Sequence, residues 1–371
     1  MATTTYKNNQ KKKKKKKSSI RYDRVFLCIG ILALILALVL YLVNYSNKTK
    51  IEITPQDVFS NIRACLSVEE VTAQQTEDTS ISLEDYTTNS EPLSSVSSED
   101  LSAQYMYVID YTNKQILFDK HSEDRCYPAS TTKILTSVVA LEYINPDTIF
   151  TVGTETSFVE EGSSMAYVKQ GDQIALKDLL YGLMLPSGND VAYVIAVNTA
   201  RIVSNNNLLT DAEAVEYFVD LMNKTAKSIG MDNSNFVVPD GFHNNEHYST
   251  PKDLMKLLIY AQQFDLLKTV ASTPVYTLQL SDDETYTWYN TNSLLDENNS
   301  YYDSHVNGFK TGFHDSAGYC LIFTANIEGN DIFAVEMKSE TDDTRYQDAN
   351  TILNALNPNA QNEQSTDEEE Y

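Results

Sequence analysis

The sequence predicts an α+β fold, an antiparallel sheet drawn from both ends of one domain and covered by helices from its middle. Three observations carry this. A hairpin-like pattern opens the folded part, helical periodicity fills 130–270, and short strand-like runs dominate 273–340 before a closing helix. The folded part is read as residues 103–357, about 255 residues, enough for one large domain with a substantial core.

The segments ahead of that domain differ from it in composition. Residues 1–24 form a basic tail with seven consecutive lysines, Lys11 to Lys17, then Arg21 and Arg24. Residues 25–43 carry no charge and read as a transmembrane helix. At about 1.5 Å per residue they span about 28 Å, close to the hydrocarbon thickness of a bilayer. Tyr22, Tyr41 and Tyr45 stand where interfacial aromatics belong, and the positive flank predicts a cytoplasmic amino terminus with the domain outside. A cleaved signal peptide is the rival reading; its apolar core is usually shorter, and no small-x-small site follows Val43. The lysine run reads as a topology signal that also attracts anionic lipid, not as a nucleic-acid site. The chain carries −24 and residues 1–24 carry +9, which leaves −33 on 25–371 and disfavours nucleic acid as a partner. Residues 44–102 are rich in Ser, Thr, Glu and Asp and read as a loose stalk, and 358–371 as an acidic disordered tail.

Within the domain, Tyr105–Asp110, a turn at Thr112-Asn113, and Gln115–Phe118 read as a hairpin. Pro128-Ala129-Ser130-Thr131-Thr132-Lys133 follows, leading into the apolar run to Leu141. Pro128 is expected to hold Ala129 extended and a helix to start at Ser130. Lys133 then lies one turn on, on the same face, above a buried stripe of Ile134, Val138 and Leu141. Further helices are expected at Leu176–Met184, Asp190–Val203, Asp211–Ile229 and Pro251–Phe264. Strands are expected at Val275–Leu280, Tyr286–Tyr289, Tyr319–Ile327 and Asp331–Met337, and a last helix at Thr344–Leu356.

A serine hydroxyl becomes a nucleophile when a nearby base takes its proton, and a desolvated lysine can be that base. Ser130-x-x-Lys133 has these residues at helical spacing. A second match, Ser249-Thr250-Pro251-Lys252, reads instead as a helix start with Ser249 as the cap. Two further motifs follow in order: Ser187-Gly188-Asn189 in a turn before a helix, and Lys310-Thr311-Gly312 before strand-forming residues. Cys28, Cys65, Cys126 and Cys320 have no metal-ligand spacing, and the five histidines show no HExxH pattern, so neither metal nor cofactor is expected. A Cys126–Cys320 disulfide stays open beside two buried thiols. His314, Tyr167 and Trp288 suggest packing alone, and His247 with Asp240-Gly241 a loop held in shape.

The three motifs resemble those of the penicillin-interacting serine acyltransferases, the penicillin-binding proteins and serine β-lactamases. Flanking residues resemble the low-molecular-mass D-alanyl-D-alanine carboxypeptidases: Tyr127 to Ile134, Leu183 to Asp190, Asn235-Phe236 with Pro239-Asp240-Gly241, His247 to Thr250, Asn290-Thr291-Asn292, and Arg345 with Asp348. The resemblance runs from about 103 to 356 and implies a β-lactamase/transpeptidase-like fold with a mostly helical subdomain. It implies that Ser130 attacks the carbonyl between two terminal D-alanines while Lys133 accepts its proton. Ser187 would relay that proton, and Asn189 would hold substrate and Lys133. Lys310, helped by Thr311, would meet the substrate carboxylate, with Arg345 a further ligand. Gly312 would let the strand approach, and the Ser130 and Phe313 N–H groups would hold the oxyanion, about 3–4 kcal/mol per donor. Stem peptides ending in D-Ala-D-Ala are the implied substrate and β-lactams the implied inhibitors. No Glu-x-x-Leu-Asn segment stands between the second and third motifs, which disfavours a class A β-lactamase. A crosslink-cutting endopeptidase and a slow membrane-tethered sensor remain as alternatives. His314 stands where relatives often have threonine.

Overall fold

The computed structural model describes residues 79–357. The basic tail, the transmembrane helix, most of the stalk and the acidic tail lie outside the described residues. Among the described residues no helix is long and apolar enough to cross a membrane.

The strands are β1 (Thr87–Thr88), β2 (Tyr105–Asp110), β3 (Gln115–Lys120), β4 (Ile149–Thr151), β5 (Gln173–Ala175), β6 (Val275–Ser281), β7 (Glu284–Tyr289), β8 (Val306–His314), β9 (Gly318–Ile327) and β10 (Asn330–Ser339). The helices are α1 (Lys133–Tyr143), α2 (Leu176–Met184), α3 (Asn189–Val203), α4 (Asp211–Ser228), α5 (Pro251–Ala261), α6 (Asp265–Ser272) and α7 (Asp342–Leu356). Six strands form the main sheet in the order β1-β3-β2-β10-β9-β8, and β4–β5 and β6–β7 are separate pairs. Only β1 runs parallel to its neighbour in the main sheet. The α+β expectation agrees with this architecture; β1, β4, β5, β8 and α6 are elements the sequence reading did not name, and Lys310-Thr311-Gly312 lies inside β8 and not ahead of a strand.

The central strands are buried on both faces because each face has its own cover. On β2, Tyr107 and Ile109 point into the core shared with α1 to α6, while Met106 and Val108 point to a second core under α7. β9 divides in the same way, Ile322 to one side and Leu321 and Phe323 to the other. The period of two along each strand sorts these residues between the cores.

Capping decides where several helices begin. Thr210 and Glu213 form a capping box at the start of α4, each side chain accepting from the other's backbone N–H. At α5 the cap is Thr250, whose Oγ1 accepts from the Asp253 N–H at 3.1 Å, with Pro251 as the first helical residue. This corrects the expectation of Ser249. Proline at the first helical position leaves the capping role to the residue directly before it. Ser249 instead pairs by backbone with Cys126 and by Oγ with Ser234.

The ordered body starts earlier than Ala103. Residues 79–102, read as stalk, form a strap across the domain. Ile81 N–H donates to Ile229 O at 3.1 Å, β1 pairs with β3, and a 3₁₀ turn at Glu91–Leu93 packs between β3 and α7. Leu83, Leu93 and Leu101 are buried, and Asp348 on α7 accepts from the backbone N–H groups of Ser102 and Ala103 at 3.1 and 2.7 Å.

Candidate active site

Pro128 and the residues after it make a 3₁₀ turn, Ala129–Thr132, and α1 begins only at Lys133. Ala129 is not extended but left-handed, with φ 48°. The steric restriction of proline falls on the residue before it, Tyr127, so Ala129 was free to take this value. The kink is held from two sides. A Cβ added to Gly312 of β8 would stand 3.1 Å from Ser130 N, and one added to Gly241 would stand 1.9 Å from Ala129 O. Gly241 sits at φ 82°, a region that favours glycine.

This turn sets Ser130 above Lys133. Lys133 is fully buried, and its Nζ donates to Ser130 Oγ at 2.9 Å, Asn189 Oδ1 at 2.7 Å and Asp240 O at 2.7 Å. Burial pushes the lysine down from 10.5 to about 8, against the raising pull of Asp240 and Asp190. Two of the three partners, the amide oxygen and the carbonyl, can only accept. A neutral amine has two N–H groups and one lone pair, so its hydrogens go to Asn189 and Asp240 and its lone pair faces Ser130. The site is arranged for a lysine that takes the serine proton.

Asn189 opens α3, and the turn before it is tightly fixed. Ser187 has φ 61°, is buried, and its Oγ has no hydrogen-bond partner among the described residues. Gly188 N–H donates to Gly182 O at 3.1 Å and Asn189 N–H to Ser164 O at 2.8 Å. The Asp190 carboxylate accepts from Ala166 and Val168 N–H, and Trp288 Nε1–H donates to Ala166 O at 2.9 Å. Trp288, expected only to pack, therefore also ties the loop that leads to β5.

On the other side, the third motif lies on β8. The alternation of the strand puts Lys310 and Gly312 on one face and Thr311 and Phe313 on the other. Lys310 is buried, its Nζ donates to Thr311 O at 3.1 Å, and burial with Lys133 and Arg345 nearby pushes it well below the ordinary lysine value. Thr311 Oγ1 bonds Thr291 Oγ1 at 2.6 Å. Arg345 of α7 donates to Gly312 O, Cys320 O and Tyr346 Oη and pairs with Asp342 at 2.5 Å. Phe313 is half exposed and stacks on Tyr319 at 4.3 Å.

A cleft of about 690 Å³ collects these groups: Ser130, Ser187, Asn189, Thr311, Gly312, Phe313 and Arg345 all line it. Lys133 and Lys310 stand behind its wall. Thr291, Thr311 and Arg345 line the cleft, and Lys310 does not. The sequence reading missed the Asp240 carbonyl and Thr291. A backbone acceptor leaves no side-chain signal.

Behind the nucleophile, the Val237 N–H donates to His247 Nδ1 at 3.1 Å, which leaves the ring proton on Nε2 to be donated to Thr132 Oγ1 at 2.8 Å. Burial, with His314, His243 and Lys133 nearby, pushes His247 down to about 3, so the ring is neutral. His247 does hold a loop in shape, and it holds it against the nucleophile turn. Cys126 and Cys320 are both buried and free. Among the described residues no group of three or more His, Cys, Asp or Glu side chains could hold a metal ion.

The family model of the D-alanyl-D-alanine carboxypeptidases matches residues 92–341. The chain belongs to this family. It is 33% identical over 272 residues to the D-alanyl-D-alanine carboxypeptidase of Streptomyces sp. strain K15, a match covering 71% of this chain and 90% of that one. It is 29% identical over 259 residues to a D-alanyl-D-alanine endopeptidase of Pseudomonas aeruginosa, covering 68% of this chain and 77% of that one. The crystal structure of the Streptomyces K15 DD-transpeptidase superposes with a TM-score of 0.63 at 32% identity, covering 70% of this chain and 99% of that one.

Proposed function

We propose that this protein is a membrane-anchored serine carboxypeptidase that removes the terminal D-Ala from peptidoglycan stem peptides through an acyl-enzyme. The observation that carries the reading is the bonding of Lys133: with Asn189 Oδ1 and Asp240 O as acceptors, the deprotonated amine turns its lone pair to Ser130 Oγ. In this reading Lys133 takes the Ser130 proton as Oγ attacks the carbonyl between the two D-alanines. The oxyanion lies between the N–H groups of Ser130 and Phe313, which the close packing of Gly312 on the turn brings together. Ser187 Oγ, free of protein partners, passes the proton to the leaving amine. Thr291, Thr311 and Arg345 receive the substrate's terminal carboxylate, whose negative charge favours the ammonium form of Lys310 behind them. Water then releases the acyl group. β-Lactams offer the same serine a strained amide, so they would acylate it and inhibit.

The apolar, uncharged run 25–43 after a lysine-rich tail supports a single-pass anchor in a bacterial cell membrane, with the domain outside. An endopeptidase acting on crosslinks is the second reading, favoured by the Pseudomonas relative of that name.

The test is release of D-alanine from a D-Ala-D-Ala-terminated stem peptide by the full-length protein, with a fluorescent penicillin label alongside. Release and label that both vanish in Ser130→Ala support the proposal. Label without release removes the carboxypeptidase reading in favour of the second one. A folded protein with neither would overturn the catalytic assignment. Fractionation of the producing cells, with the protein in the soluble fraction, would overturn the anchor.

A further inference from the structure

The Asp240 carbonyl helps to hold Lys133, but the carboxyl of the same residue has had no part in the chemistry so far. The carbonyl accepts from Lys133 Nζ at 2.7 Å, which brings that carboxyl close to the amine. Asp240 is 1% exposed. Its Oδ1 accepts from the Phe242 N–H at 3.0 Å, and its Oδ2 is buried without a hydrogen-bond partner among the described residues. A buried carboxylate bonded through one oxygen alone needs a positive charge beside it.

Lys133 is the cation that meets it. Burial pushes the Asp240 carboxyl up, and Lys133 pulls it back down. The other charged and titratable groups around the pair do not fill that place. Asp190 of α3 also faces Lys133, but both its oxygens are bonded, Oδ1 to the Ala166 N–H and Oδ2 to the Val168 N–H. Tyr193, further along α3, faces Asp240; burial and that carboxylate push its hydroxyl up, so it stays neutral. Glu160, beyond the 3₁₀ turn Thr154–Phe158, is exposed and adds negative charge. From β8, Lys310 faces Lys133 and burial pushes it well below the ordinary lysine value, and His247 on the other side is neutral.

We propose that the Asp240 carboxylate is the counter-ion for the ammonium that Lys133 becomes on taking the serine proton. It is a positioning residue, acting on the reaction through Lys133. As the Ser130 O–H bond breaks, its proton forms the third N–H bond of Lys133. The Oγ electron pair forms the bond to the substrate carbonyl carbon, and the carbonyl π pair moves onto its oxygen. A positive charge thus appears where Lys133 is shut off from water, and a fixed carboxylate at short range stabilises it there. The inference rests on the acyl-enzyme reading above and adds what sustains its base.

The experiment measures the second-order rate of acylation of the full-length protein by a fluorescent penicillin, from about pH 5 to about pH 10, for wild type and Asp240→Asn. Asparagine keeps the oxygen that accepts from the Phe242 N–H and loses the charge. Wild type should level off near 8. Loss of an opposite charge at this range should move the rising limb down by about one unit. A weaker base also lowers the plateau, by less than the limb gains, up to about tenfold. The variant should therefore be faster than wild type near pH 6 and slower near pH 9, a crossing that a packing defect does not produce. Asp240→Ser, which leaves an oxygen for the same N–H, should move the limb in the same direction. A limb that stays with wild type in both variants, or moves to higher pH, would overturn the counter-ion. So would a folded variant that is acylated at no pH, because nucleophile and base are intact in it. If wild type itself takes no label, the acyl-enzyme reading falls and the counter-ion falls with it.

Discussion

Replacing Asn189 by aspartate tests the bonding of Lys133 most directly. The side chain keeps its shape, but a carboxylate oxygen would take the place of the amide oxygen 2.7 Å from Nζ. An opposite charge at such a distance raises a lysine by about 1–3 units. Lys133, held near 8 by burial, would then titrate at roughly 9–11. Each unit is tenfold in the fraction of free amine, so acylation near pH 7 should slow by about 10- to 1000-fold. The loss should be recoverable, because the same amine forms at higher pH. The assay is the second-order rate of acylation by a fluorescent penicillin from about pH 6 to about pH 10.5. Wild type should climb tenfold per unit and level off near 8, whereas Asn189→Asp should level off later and approach the wild-type rate. An unchanged rising limb in the variant would refute the role of Lys133 as the base. A rate that stays low at every pH would show that Asn189 matters for something other than this charge.

Three more outcomes follow from the geometry. His247 is buried neutral and titrates near 3 in the fold, against 6.5 in the unfolded chain. Between those values the unfolded chain binds the extra proton, so stability is lost as pH falls, by about 3 kcal/mol at pH 4.5 from this group. Denaturant melts at pH 7.5 and 4.5 should show it, and His247→Gln should flatten the difference. Gly241→Ala puts a Cβ 1.9 Å from Ala129 O at φ 82°; the resulting shift of the nucleophile turn should cost about 100-fold in acylation with the far-UV CD spectrum retained. Trp288→Phe removes the donor to Ala166 O and should cost about 1 kcal/mol in denaturant melts, with faster hydrogen exchange at Ala166 and Val168.

The site's geometry was legible where it rests on residue type and spacing. Ser130 and Lys133 lie three positions apart, and the contact their spacing implies is present at 2.9 Å. What stayed hidden depends on tertiary packing. The left-handed Ala129 is fixed by two glycines more than 100 residues away in sequence, Gly241 in a turn and Gly312 on β8, and no local pattern encodes it. The inward turn of Lys310 could have been read, since strand alternation puts it on the face of Gly312, which meets Ser130. Residues 79–102 escaped because their composition is that of a loose chain. Their order comes from three well-separated leucines and from backbone bonds to partners far along the sequence.

That strap decides how the domain fares when the chain ahead of it is cut. β1 covers part of the outer edge of β3, and Leu93 and Leu101 fill apolar sockets beside α7. A proteolytic cut near residue 103 would strip both covers at once, leaving an open strand edge next to an apolar surface, the combination that recruits other chains. A cut ahead of Thr79 would remove neither. A cut at one position would leave the domain whole, and a cut at the other, some two dozen residues on, would leave a seed for aggregation.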